Sequence, residues 1–175
     1  VSQPLNNVKV EKERVSGVPV NLSTSFNSGD MMKWVVATAI ATPMVAGDAG
    51  SQAAAQYFIG VSNDTNPINN LGQNLPVSRI TVITRGIIQF TAGDYATYYP
   101  GDAVTIGADP QEVTHTGSSA NNIIGFVAPE NFFTVTAGAS VGISATAHVT
   151  PLLIAIVPGQ NAAVASVPYN RLATI

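Results

Sequence analysis

Apolar and polar residues alternate in short runs along most of the chain, and three of these runs share one phrase. The copies are Gly29-Asp30-Met31-Met32-Lys33-Trp34, Gly101-Asp102-Ala103-Val104-Thr105-Ile106 and Gly138-Ala139-Ser140-Val141-Gly142-Ile143. The third and fifth residues after each glycine are apolar: Met32 and Trp34, Val104 and Ile106, Val141 and Ile143. Period-two alternation after a turn predicts a half-buried β-strand. The first and third copies continue into similar tails, Ala37-Thr38-Ala39-Ile40-Ala41-Thr42-Pro43 and Ala145-Thr146-Ala147-His148-Val149-Thr150-Pro151. His148 therefore takes the place of Ile40 and is expected on a strand.

The same pattern predicts strands over 31–38, 57–61, 80–83, 87–91, 132–136, 140–148 and 152–157, with one more over 162–167. Tyr57-Phe58-Ile59-Gly60-Val61 and Asn122-Ile123-Ile124-Gly125-Phe126-Val127 are echoes of each other, each an apolar pair followed by a glycine. Residues 51–56 read as a helical turn or a loop. No window carries an amphipathic helical period. About eight to ten short strands punctuated by Gly and Pro imply an all-β fold, a small β-barrel or β-sandwich of short antiparallel strands.

Residues 1–20 read as an extended N-terminal arm or edge strand. There Val8, Val10 and Val15 interleave with Lys9, Glu11, Lys12, Glu13 and Arg14, and Ser16-Gly17-Val18-Pro19 is read as a turn that closes the arm. Charge protects an edge from uncontrolled pairing, although Lys, Glu and Arg also suit a short helix over 8–15. Residues 21–175 then form a single β-domain with one long Asn-rich loop at 63–76, a length that is usually functional or mobile.

Composition sharpens this picture. Charged residues make up 10% of the chain and hydrophobic ones 46%, against roughly 25% charged in ordinary soluble domains. Charge depletion of this kind fits a surface that meets other protein. The net charge is -3 with scattered basic residues, which matches neither a nucleic-acid footprint nor an anionic membrane surface. No run reaches the roughly 20 apolar residues of a membrane helix. Residues 1–7 have no basic start and no apolar run, so no leader is expected. The absence of cysteine removes disulfides and thiolate chemistry.

Catalytic patterns are missing. The histidines, His115 and His148, lack the spacing of a metal site with three or four converging ligands. There is no Gly-x-Ser-x-Gly elbow and no Gly-rich phosphate loop. Asp30, Asp48, Asp94 and Asp102 each follow a glycine, where aspartate commonly bonds nearby backbone; the spaced ladder of a calcium loop is absent. No catalytic residue, cofactor or metal is assigned. Trp34 and the group Tyr95, Tyr98 and Tyr99 are read as contact residues, because interfaces favour aromatic anchors.

Ala92-Gly93-Asp94, then Tyr99-Pro100-Gly101-Asp102-Ala103-Val104-Thr105-Ile106, then Asn122-Ile123-Ile124-Gly125-Phe126-Val127 resemble the small head-decoration (cement) proteins of tailed bacteriophages. The likeness covers 86–157, with a weaker echo in 26–62. It implies a β-rich, often trimeric structural protein, made in the bacterial host cytoplasm and placed on the outer surface of the virion capsid. There it would bridge neighbouring major capsid subunits, without contacting nucleic acid or membrane. The expected contacts are Val8, Val10 and Arg14 on the arm, with Trp34, Tyr95, Tyr98, Tyr99 and the 63–76 loop. The alternatives are a carbohydrate- or receptor-binding β-module of a phage fibre or tail, and a hydrolase built around His115 or His148.

Overall fold

The computed structural model describes residues 8–49, 56–65, 78–115, 122–133 and 142–160. The strands expected at 162–167, most of 132–136 and the start of 140–148 lie outside these residues, as do 51–55, 66–76 and the first four residues of the third repeat.

Eleven strands are present: β1 (Val8–Pro19), β2 (Met31–Val35), β3 (Ile40–Pro43), β4 (Gln56–Ser62), β5 (Arg79–Ala92), β6 (Thr97–Tyr98), β7 (Ala103–Ile106), β8 (Glu112–His115), β9 (Ile123–Val127), β10 (Ile143–Ser144) and β11 (Pro151–Gln160). Two 3-10 turns, Ala46–Ala49 and Pro129–Phe132, complete the described elements. The fold is all-β, as the alternation predicts.

Strand β5 organises the molecule. The sequence reads as two short strands here, yet β5 runs unbroken through Gly86 for 14 residues, about 45 Å at the usual strand rise. Its C-terminal half pairs antiparallel with β11 on one edge and parallel with β8 on the other. The order β11-β9-β7-β8-β5 thus closes on itself as a small barrel. The β5–β8 pair is a parallel exception to the antiparallel expectation. The N-terminal half of β5 pairs with β1 on one edge and β4 on the other, and β4 leads on to β2 and β3. A bridge from Val20 to Ala41 brings the chain after β1 back against β3.

Two apolar clusters follow from this arrangement. The larger fills the barrel and contains Ile88, Phe90, Val104, Ile106, Ile124, Leu152 and Ile154, together with Met31, Phe58 and Val61 from the adjoining sheet. The smaller holds Val20, Phe26, Met32, Ala41, Ile80 and Val82. Strand alternation sends Met31 into one cluster and Met32 into the other. Both faces of β2 are therefore buried at its start, which is why this strand opens with consecutive apolar residues.

The Gly-Asp phrase is a turn that locks itself. Asp30, Asp48 and Asp102 each accept a hydrogen bond on Oδ2 from the backbone N–H three residues earlier, at Asn27 (2.8 Å), Val45 (2.7 Å) and Tyr99 (2.7 Å). Their own N–H groups donate to the carbonyls of the same residues. Gly29 and Gly101 adopt φ 96° and 86°, a conformation other residues rarely tolerate. The expected local role of these aspartates is met at these three turns.

Strand limits differ from the alternation in three places. β2 stops at Val35, and residues 36–39 turn back into β3, with Ala39 at φ 53°. Residues 145–150 form a turn rather than a strand: His148 sits at φ 62°, so its strand assignment is corrected. Residues 129–132 form a 3-10 turn started by Pro129. A hairpin and a turn made of Ala and Thr carry no Gly, Asn or Pro to announce them.

Candidate interaction surface

The arm is neither detached nor helical where it is described. β1 pairs with β5 from Val8↔Ile88 to Pro19↔Arg79, with register shifts near Val10, Glu13 and Gly17. Its other edge carries no strand partner among the described residues, apart from the bridge just beyond it at Val20. Charge lies along this strand: Arg14 pairs with Glu11, and Arg85 of β5 lies 3.9 Å from Glu13. Val10 and Val15 are exposed.

Between β1 and the outer face of β2 and β4 lies an open groove of about 520 Å³, lined by Val15, Val18, Trp34, Tyr57, Ile59 and Val82 among others. The alternation that buries Met32 points Trp34 the same way two residues later. Val18, Trp34 and Ile59 pack partly against the smaller core, so the groove is the uncovered end of that core.

The predicted contact residues divide. Trp34 lies in the groove. Val10 and Arg14 are exposed on β1; the side chain of Val8 lies outside the described part of the strand. Tyr95 (80% exposed) and Tyr99 belong to the connection between β5 and β7, away from the groove lining. Tyr98 does not fit the contact role expected of it, because it is fully buried (0% exposed) in the barrel core. Its ring stacks on His115 at 4.0 Å, and its hydroxyl donates to Asp94. Burial raises the Tyr98 phenol, and the Asp94 carboxylate adds to that. His115 Nε2 lies 3.0 Å from Asp102 Oδ2, so the neighbouring Gly-Asp turns grip one ring. Tyr57, absent from the expected contacts, joins Trp34 in the groove; its position on the solvent side of a short strand was the available signal.

Other polar groups are structural. Lys33 Nζ donates to Asp48 Oδ1 at 2.7 Å in a buried pair, and Asn122 Nδ2 donates to the Asp48 carbonyl at 2.5 Å. His148 Nδ1 lies 2.5 Å from Glu112 Oε1. Among the described residues, no three His, Cys, Asp or Glu side chains converge in a way that could hold a metal ion, and no helix is long and apolar enough to cross a membrane. No known family model matches this chain, and no curated protein matches it.

Proposed function

We propose that this chain is a structural protein that decorates and stabilises a tailed-phage capsid by bridging neighbouring major capsid subunits. The observation that carries this reading is the apolar groove holding Trp34 and Tyr57 and walled by β1, whose outer edge has no strand partner among the described residues. An extended segment of a shell subunit laid there would gain backbone hydrogen bonds from the edge and side-chain burial from the groove. Apolar area contributes roughly 25 cal/mol per Å² buried, and repetition around a shell adds avidity. The low charge content of the whole chain and the sequence likeness to cement proteins support the same reading. A homotrimer on the outer capsid surface is its expected form.

The test is co-sedimentation of the full chain with empty capsids, beside molar mass from light scattering. Trp34→Ala and Tyr57→Ser variants are expected to sediment poorly while keeping the wild-type circular dichroism spectrum. Undiminished capsid binding by both variants, or no binding by the wild type, overturns the reading. The exposed Tyr95 and Tyr99 favour a second reading, a carbohydrate-binding module of a fibre or tail; saturable glycan-array binding lost in Tyr95→Ala would support it.

A further inference from the structure

The groove beside Trp34 is an apolar sheet face that stays open among the described residues, and the last described strand contributes to its wall. β11 last pairs with β5 at Ile156↔Gly86, and Pro158, two residues on, is part of the groove lining. The described chain stops at Gln160, so the segment 161–175 starts beside the groove. Val15 and Tyr57 are exposed there. Apolar surface next to a free strand edge is an association hazard unless something covers it.

The segment has the chemistry of a cover. Residues 161–170 carry no charge, and Arg171 is the one charged residue of 161–175. Among the described residues, the lining likewise holds one charged side chain, Glu13. Its contact with Arg85 is long, 3.9 Å, and exposed, so the carboxylate is open to a second cation. The alternation over 162–167 gives an extended chain one face made of Ala163, Ala165 and Val167, small side chains suited to a floor already holding Trp34 and Tyr57. Strands β1, β5, β4 and β2 lie side by side in that order, which sets β2 about 14 Å from β1. An extended chain covers that in about four residues, the separation of Val167 from Arg171. A segment tethered at the groove acts at an effective concentration on the order of millimolar, which favours it over the same segment of a second copy.

We propose that residues 161–175 lie back over this groove in the free protein, with Ala163, Ala165 and Val167 against Trp34 and Tyr57 and Arg171 toward Glu13. A shell segment would then have to displace the chain's own tail. Docking of the tail stands by itself; its control of attachment rests on the capsid reading.

The chain has one tryptophan and no cysteine, so a contact-range quenching pair can be built in the full chain without background. A bimane label on Ser166→Cys, on the opposite face from Val167, should be quenched by Trp34 and regain its brightness in Trp34→Phe. Excess unlabelled chain should leave the quenching unchanged; recovery of brightness would put a second copy's tail in the groove and overturn the proposal. Val167→Asp should shift the docked-to-open ratio about tenfold, the scale of one buried valine, and brighten the label. Arg171→Glu should shift it about twofold. Apparent affinity for empty capsids should rise in both, because binding scales with the open fraction. No quenching in the labelled chain, or quenching unaltered by Val167→Asp, overturns the proposal. A quenched label with no capsid binding by any variant keeps the docked tail and removes the capsid reading; capsid binding with an unquenched label does the reverse.

Discussion

Gly125 passes so close to Ala155 that a Cβ at Gly125 would overlap the Ala155 carbonyl oxygen. Gly60 stands in the same relation to the Ile83 carbonyl. The two echoed phrases of the sequence, Phe58-Ile59-Gly60 and Ile123-Ile124-Gly125, therefore share one task. Each removes a side chain where two strands cross tightly, as a closed or strongly coiled sheet requires. Gly125→Ala is expected to cost about 2 kcal/mol or more, because backbone rather than a flexible side chain must give way. At Gly47 a Cβ would meet no atom within 4 Å, so this position should accept alanine within about 0.5 kcal/mol. Denaturant midpoints of the two variants make the comparison.

The Lys33–Asp48 pair ties β2 to the Ala46–Ala49 turn in a buried setting. Removing one partner of a buried pair leaves a charge without its counter-charge. Lys33→Ala should therefore destabilise the fold by about 3 kcal/mol, read from urea unfolding. A loss under about 0.5 kcal/mol, the size of an exposed pair, would show that Val45 N–H and Asn122 hold this turn without the lysine.

His148 pairs with Glu112 from an exposed turn, and that bond together with the Glu112 charge raises the His148 pKa above its ordinary value. The folded pKa exceeds the unfolded one, so the histidine's contribution is complete below about 6.5. It is lost as pH rises through the raised folded value. His148→Asn keeps a side chain tolerant of φ 62° and removes the charge. Wild type should exceed this variant in stability at about pH 5.5, and the gap should shrink by about pH 8.5. Thermal unfolding at the two pH values provides the check, and a gap that widens with pH would contradict the ion pair.

Tyr98 donates from the barrel core to Asp94. Tyr98→Phe should cost about 1–2 kcal/mol, since it deletes a hydrogen bond to a charged group and leaves the aromatic packing. The raised phenol also predicts that its stabilising share is present below the usual tyrosine range and fades as pH climbs toward the folded value. In an alkaline absorbance titration, the difference between wild type and Tyr98→Phe should appear only as the protein unfolds.

Deleting residues 1–14 should do more than release an arm. It strips β5 of its β1 partner from Ile83 to Ile88 and removes Glu13 from the groove wall. A fall in Tm of about 10 °C or more is expected, given roughly 2–4 °C per kcal/mol for a domain of this size. Unchanged stability would mean that β1 is a removable strand and would return to it the purely reaching role read from sequence.

Much was legible in the chain alone because strands and turns are local. Period-two alternation located β2 and β7, short apolar runs between turn residues located β4, β9 and most of β11, and Gly followed by Asp marked turns whose hydrogen bonds span only three residues. The scarcity of charge and the missing catalytic spacing are also properties of the chain itself. What the order of residues left open is which strands meet, since pairing joins partners as remote as Val8 and Ile88. Closure of the barrel through β5 and β11, the burial of Tyr98 away from its exposed neighbours, the turn that removes His148 from a strand, and the meeting of Asp30 with Gln111 and Glu112 with His148 all depend on that pairing. Alternation states that a strand has an inside face; only the packed sheet decides what that face touches.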